Sequence, residues 1–220
     1  MSMLARTRAA VYDAAIVHLT APWYRAVLTR LPAGSHLLDV GIGTGSALLA
    51  NADLLTGRDL RVTGVDIDAD YVARCARAVR RAGLAARVAA RLESVTDHRG
   101  GPYDAAYFSA SFMLLPDPPA ALRHVRGLLR PGGALYFTQT VEHAPSRLVE
   151  RLKPLLRLLT SIDFGRVTYE AEFRRALADG GMSLDTLAPL HRGRRRSAVL
   201  AIARADGLAP AAPLRHQQGS

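Results

Sequence analysis

The chain has 220 residues, 49% of them hydrophobic, enough to bury the core of one domain. No apolar run approaches the roughly 18 residues of a membrane span, and the start Met1-Ser2-Met3-Leu4-Ala5-Arg6 lacks the continuous apolar stretch of a secretory signal, so a cytoplasmic protein is expected. The formal net charge of +10 invites an anionic partner, yet Lys153 is the only lysine among 29 basic residues and the arginines are spread along the chain, which favours a solvated surface over a nucleic-acid footprint. The lone Cys75 can make neither an intramolecular disulfide nor a cysteine metal cluster and is expected in the core; no metal site is expected.

Residues 4–31 read as two helices. Leu4, Val11, Ala15 and Leu19 form one stripe on the first, and Pro22 opens a second that carries Trp23, Tyr24, Val27 and Leu28. They pack on the core as a layer or fold over a ligand as a lid, with Tyr12, Trp23 and Tyr24 as its contacts. Leu37 to Val40 is an apolar run ending in Gly41, Gly43 and Gly45, a buried strand feeding a tight turn into a helix over Ala47 to Leu55. Leu60 to Val65 is a second strand, closed by Asp66, and residues 69–82 return as a helix stopped by Gly83. Arg87 to Leu92, Tyr103 to Phe108 and Ala134 to Thr138 read as strands three to five, with a helix from Pro119 to Leu129 before the last.

Beyond residue 147 lies an apolar stripe of Leu148, Leu152, Leu155 and Leu159 flanked by Arg147, Arg151, Lys153 and Arg157. Such a helix covers a sheet or lies on a membrane surface. A helix from Tyr169 to Ala178 follows, and then strands over Leu184 to Leu190 and Ser197 to Ala203. Their short connection makes the pair antiparallel. The alternation of strands and helices means a parallel sheet covered on both faces. One domain over residues 1–204 is expected, with helices over 1–33, an α/β core over 34–204 and a disordered tail over 205–220.

The glycine turn narrows the ligand. A dinucleotide fingerprint needs G-x-G-x-x-G, whereas Ser46 holds its last position, and the spacing of a phosphate loop is absent. A ligand without a pyrophosphate, needing close backbone approach and a carboxylate for its ribose, suits the turn better, and Asp66 is placed to accept both ribose hydroxyls.

Four ordered segments carry a resemblance. Leu37-Leu38-Asp39-Val40-Gly41-Ile42-Gly43-Thr44-Gly45 resembles the first motif of the class I S-adenosylmethionine-dependent methyltransferases, and Val62-Thr63-Gly64-Val65-Asp66-Ile67-Asp68 their second-strand motif. Tyr103-Asp104-Ala105-Ala106-Tyr107-Phe108-Ser109 with Leu115-Pro116-Asp117-Pro118, and Leu128-Leu129-Arg130-Pro131-Gly132-Gly133-Ala134-Leu135, resemble the segments of strands four and five. The resemblance implies a three-layer, Rossmann-like α/β fold with seven strands in the order 3-2-1-4-5-7-6, strand 7 antiparallel, and N-terminal lid helices. It also implies S-adenosylmethionine as cofactor and S-adenosylhomocysteine as product.

By the same resemblance Gly41 and Gly43 pass under the methionine part of the cofactor, with Gly45 completing the turn. Asp39 holds its ammonium, Asp66 its ribose and Ile67 its adenine. Ser94 and Val95 flank the base, and Tyr12 and Ser109 join the cofactor site. The acceptor side falls to Ser111, Phe112, Met113, Gln139 and Thr140 at the carboxyl ends of strands four and five, with Tyr169 from the covering segments. His143 is the candidate base. Methyl transfer by in-line displacement onto a small-molecule acceptor is the expected activity. The alternatives are methylation of a phospholipid head group with peripheral membrane contact, methylation of RNA, and a non-catalytic cofactor-binding subunit. Nothing in the residues fixes the acceptor or the oligomeric state.

Overall fold

Strands that are apolar along their whole length must be covered on both faces, and the continuous apolar runs adopt that place. The computed structural model describes residues 19–142, 168–192 and 196–205. Strands β1 (His36–Val40), β2 (Arg61–Asp66) and β4 (Tyr103–Ser109) are buried over nearly their full length. With β3 (Val88–Leu92), β5 (Leu129–Glu142), β6 (Thr168–Tyr169), β7 (Met182–Arg192) and β8 (Arg196–Ala205) they form one sheet in the order β3-β2-β1-β4-β5-β8-β7. Strand β8 runs antiparallel to both neighbours. This is the expected order 3-2-1-4-5-7-6 with one addition: the two-residue β6 pairs in parallel with the end of β5 at Val141 and Glu142.

The helices follow local chemistry. In α4 (Ala69–Arg81) the Asp68 side chain caps the start by accepting the Tyr71 N–H, Arg80 and Arg81 sit in the last turn, and Cys75 and Val79 face inward. Helix α5 (Pro118–Leu128) is capped by Asp117, which accepts the Ala120 N–H, and prolines occupy its first two positions, where no N–H is needed. It buries Ala121, Leu122 and Val125. Helix α6 (Glu170–Asp179) buries Phe173 and Leu177.

Three boundaries differ from the sequence expectation. Among the described residues helix α1 runs through 19–28, so Pro22 lies inside it rather than opening it. The single helix expected over Ala47 to Leu55 is two, α2 (Ser46–Leu49) and α3 (Ala52–Gly57). The break falls at Asn51, whose buried amide donates to the carbonyls of Ala47 and Ala21, 3.0 Å each, tying α1 to the turn between them. Strand β5 begins at Leu129, because the backbone pairs with Tyr103 there and slips past a bulge before Ala105 meets Ala134. Strand β8 runs to Ala205. The tail beyond it, Tyr12, His143 and the basic stripe of residues 147–159 lie outside the described residues.

Alternation along the strands divides the core into two layers. Leu37 and Tyr107 face a layer with Tyr24, Val27, Leu28, Leu48, Leu55 and Cys75. Leu38 and Phe108 face the other, with Phe112, Leu122, Val125, Phe137 and Phe173. Among the described residues no helix is long and apolar enough to cross a membrane.

Candidate active site

Strand order reverses at β1, with β2 on one side and β4 on the other, and ligands of open parallel sheets collect at the carboxyl ends of strands beside such a point. Asp39, the glycine turn, Asp66, Ser109 and Ser111 all stand there.

The three glycines of the turn have left-handed φ values, +80° at Gly41, +58° at Gly43 and +71° at Gly45, yet they serve different ends. A Cβ at Gly41 would lie 2.7 Å from the Ser111 Cβ, and one at Gly45 would lie 2.5 Å from the Cys75 Sγ. Both glycines therefore admit neighbouring protein. A Cβ at Gly43 would meet nothing within 4 Å among the described residues, so of the three Gly43 is the one that faces open space. The turn is tied to β2 from above, because the Gly43 N–H donates to Asp66 Oδ2 at 2.9 Å and the Asp68 N–H donates to Oδ1 at 3.0 Å.

Asp39 has no exposed surface. Its Oδ2 accepts the Tyr24 hydroxyl from α1 at 2.8 Å, while Oδ1 has no hydrogen-bond partner among the described residues. Burial pushes the carboxyl up to about 7; the Tyr24 bond works against that rise, and the charge of Asp66 adds to it. A buried carboxylate oxygen without a donor is costly, and a cationic ligand group removes the cost. S-adenosylmethionine brings such a group in its ammonium, and the open space at Gly43 gives it room. The residues therefore fit this cofactor.

At the far side of Asp66 the surface is apolar. Ile67 is 78% exposed, and Leu92, paired with Asp66 across β2 and β3, is exposed as well. Ser94 bonds to Thr96 and is half-buried, whereas Val95 is buried in the core beneath it.

On the acceptor side, Ser109 ends β4, and Ala110 takes φ +55° while its N–H donates to Thr138 O at 2.7 Å. That left-handed residue turns the chain so that the Ser111 hydroxyl reaches the Val40 carbonyl. Phe112 does not line the site as expected: its ring is packed among Phe108, Phe137 and Phe173, with centroids 5.0–5.8 Å apart, because the turn after Ser111 carries it into the core. Met113 is half-buried against the same cluster. Gln139 is buried with its Nε2 unpaired, and Thr140 is half-buried. Tyr169 is placed in β6, next to the end of β5, and its side chain lies outside the description.

Sequence reasoning missed two pairings. The Tyr24 bond to Asp39 spans 15 residues and leaves no trace in local pattern. Buried His98 bridges the β3–β4 loop, Nδ1 to Glu93 Oε1 at 2.8 Å and Nε2 to the Tyr103 hydroxyl at 2.7 Å. The only hint of it was a polar residue in a loop followed by Gly100-Gly101-Pro102. A surface cavity of about 320 Å³ lies elsewhere, between Arg126, Arg130, Pro131 and Met182 at the opposite end of β5, and none of these groups converges on the turn.

Residues 38–135 match a family model described as a methyltransferase domain. Two curated relatives are ubiquinone biosynthesis O-methyltransferases. The one from Methylococcus capsulatus is 28% identical over 159 residues, 69% of this chain and 65% of the relative. The one from Xanthomonas axonopodis pv. citri is 33% identical over 118 residues, 52% of this chain and 46% of the relative. The chain thus spans about half to two thirds of the length of these relatives. Among solved structures, the [4+2]-cyclase SpnF superposes with a TM-score of 0.68 at 19% identity, covering 84% of this chain and 81% of that one. A geranyl diphosphate methyltransferase in complex with SAM gives 0.66 at 18% identity, covering 84% and 85%. Sheet order, glycine turn and family match agree: the chain carries a class I S-adenosylmethionine-dependent methyltransferase domain.

Proposed function

We propose that the protein moves the methyl group of S-adenosylmethionine to an oxygen of a small-molecule acceptor, and that it does so in the cytoplasm. The observation that carries the reading is the partnerless Oδ1 of buried Asp39 beside the open glycine Gly43. It supports a ligand that is cationic where it meets β1 and close to the backbone where it crosses the turn. The O-methyltransferase names of the curated relatives support oxygen as the reacting atom.

When bound, the cofactor supplies an electrophilic methyl on a sulfonium. The protein's part is orientation in a site that excludes water, an effect that can contribute ~7–11 kcal/mol. Asp39 holds the ammonium and Asp66 the ribose hydroxyls. Ile67 forms an apolar platform for the adenine, with Ser94 at its edge; Val95, expected beside the base, is instead part of the core beneath. Gly41 and Gly45 keep the turn closed against Ser111 and Cys75. Ser109 joins the cofactor site; on the acceptor side we assign Ser111, Gln139 and Thr140, with Tyr12 and Tyr169 as covering residues. An alcohol needs its proton removed as the methyl arrives, and His143 is assigned that role.

The test is incubation with methyl-labelled S-adenosylmethionine and four acceptors: a phenol or catechol, a simple amine, phosphatidylethanolamine vesicles, and RNA. Label in the phenolic product is the expected result. Label in vesicles or RNA overturns the small-molecule reading. Cofactor binding without transfer to any acceptor overturns the enzymatic one and favours a use of the fold such as the cyclase neighbour makes of it.

A further inference from the structure

Tyr24 and Asp39 are both buried and come from different elements, α1 and β1. The Tyr24 hydroxyl donates to Asp39 Oδ2 at 2.8 Å. Its ring meets the Tyr107 ring edge-on at 4.9 Å and 88°, and the Tyr107 hydroxyl is itself engaged by Thr138 Oγ1 at 2.6 Å. Tyr24 therefore sits in a fixed pocket with its hydroxyl aimed at one carboxylate oxygen. A carboxylate free to turn about its Cβ–Cγ bond presents either oxygen to a ligand; one held at Oδ2 presents only Oδ1, the atom without a partner.

We propose that Tyr24 is a positioning residue for the amino-acid end of the cofactor: by holding Oδ2 of Asp39 it keeps Oδ1 turned to the cofactor's ammonium, which makes helix α1 part of the binding site. This rests on the assignment of Asp39 made under the proposed function.

The groups facing the carboxyl are Tyr24 from α1, Tyr107 from β4, Asp66 from β2 and Cys75 from α4. Among the described residues none is a cation, and the Tyr24 bond is the favourable contact of the ionised form. An ammonium pairs with the ionised form, so affinity rises with pH as Asp39 titrates. Loss of the hydroxyl moves that rise to higher pH. The ligand's own amine titrates alike in both proteins and does not affect the difference.

The experiment is calorimetric titration of the full chain between pH 6 and 8.5 with S-adenosylhomocysteine and with 5′-methylthioadenosine, which lacks the amino-acid end. Tyr24→Phe keeps the ring on Tyr107 and removes only the hydroxyl. Its expected effects are an affinity for S-adenosylhomocysteine about tenfold weaker, unchanged affinity for 5′-methylthioadenosine, and a pH profile displaced upward. In an Asp39→Asn background Tyr24→Phe is expected to add nothing, since it acts through the carboxylate. Equal affinity in wild type and Tyr24→Phe overturns the inference, as does equal weakening of both ligands, or a full additional loss in the Asp39→Asn background. A wild-type protein that binds neither ligand overturns the site reading itself.

Discussion

The Asp66 carboxylate, at the end of β2, accepts the backbone N–H of Gly43 from the turn after β1 at 2.9 Å and that of Asp68 at 3.0 Å. The residue assigned to the ribose under the proposed function therefore also holds the glycine turn. Asp66→Ala is expected to weaken S-adenosylhomocysteine binding at least tenfold and to cost about 1–2 kcal/mol of stability, since the amides of Gly43 and Asp68 lose their acceptor. Binding titration together with denaturant unfolding separates the two effects. Unchanged affinity contradicts the ribose assignment.

The three glycines are expected to separate by stability. Gly45→Ala drives a methyl into the Cys75 thiol and Gly41→Ala drives one against the Ser111 side chain, so both lower the unfolding temperature. Gly43→Ala meets no atom and bears only the left-handed backbone cost of about 1–2 kcal/mol. Thermal unfolding of the three variants checks this order, with Gly43→Ala the least affected.

Asp39 makes stability depend on pH. Its folded carboxyl titrates at about 7 against an ordinary 3.8, so between these values the unfolded chain has released a proton that the folded chain still holds. Stability is then highest below about pH 4 as far as this group is concerned, falls as pH rises, and has lost its full contribution above pH 7, an effect of about 4 kcal/mol at most. Asp39→Asn keeps an acceptor for Tyr24 and removes the titration. Unfolding by urea from pH 4.5 to 8 is expected to show a shallower decline in the variant than in wild type.

His98 fixes the loop that leaves β3. Its two ring nitrogens engage Glu93 and Tyr103, and the Glu93 N–H donates to the Asp66 carbonyl at 3.0 Å, so the loop is anchored to the same strand end as the ribose carboxylate. His98→Ala removes one of the two partners of the Tyr103 hydroxyl, Thr63 remaining, and opens a cavity, and a loss of about 2–4 kcal/mol is expected. Chemical denaturation measures it.

The sequence made the parallel sheet readable because β1, β2 and β4 are continuous apolar runs bounded by glycine or aspartate, and the order of four motifs fixed their places. Strand β3 was weaker in pattern, yet Val88 and its neighbours pair where expected. The break at Asn51 was hidden, because the Asn51 amide reaches Ala21, a contact 30 residues apart. Within the site, the glycine turn and Asp66 stand out by spacing, while Asp39 is singled out only by the resemblance of its segment to the family's first motif. The distinction between Gly43 and its neighbours could not be read, since it depends on Cys75 and Ser111 arriving from elsewhere in the chain. Phe112 was misread for the same reason: an aromatic residue after a strand end looks like a ligand contact until Phe137 and Phe173 close around it.

Equilibrium binding of S-adenosylhomocysteine to wild type and to Gly43→Ala, side by side at pH 8, bears most directly on the glycine turn as the cofactor site. Saturable one-to-one binding by the wild type, weakened at least tenfold in a Gly43→Ala protein that remains folded, is the expected result. Equal binding by the two proteins, or no binding by the wild type, contradicts it.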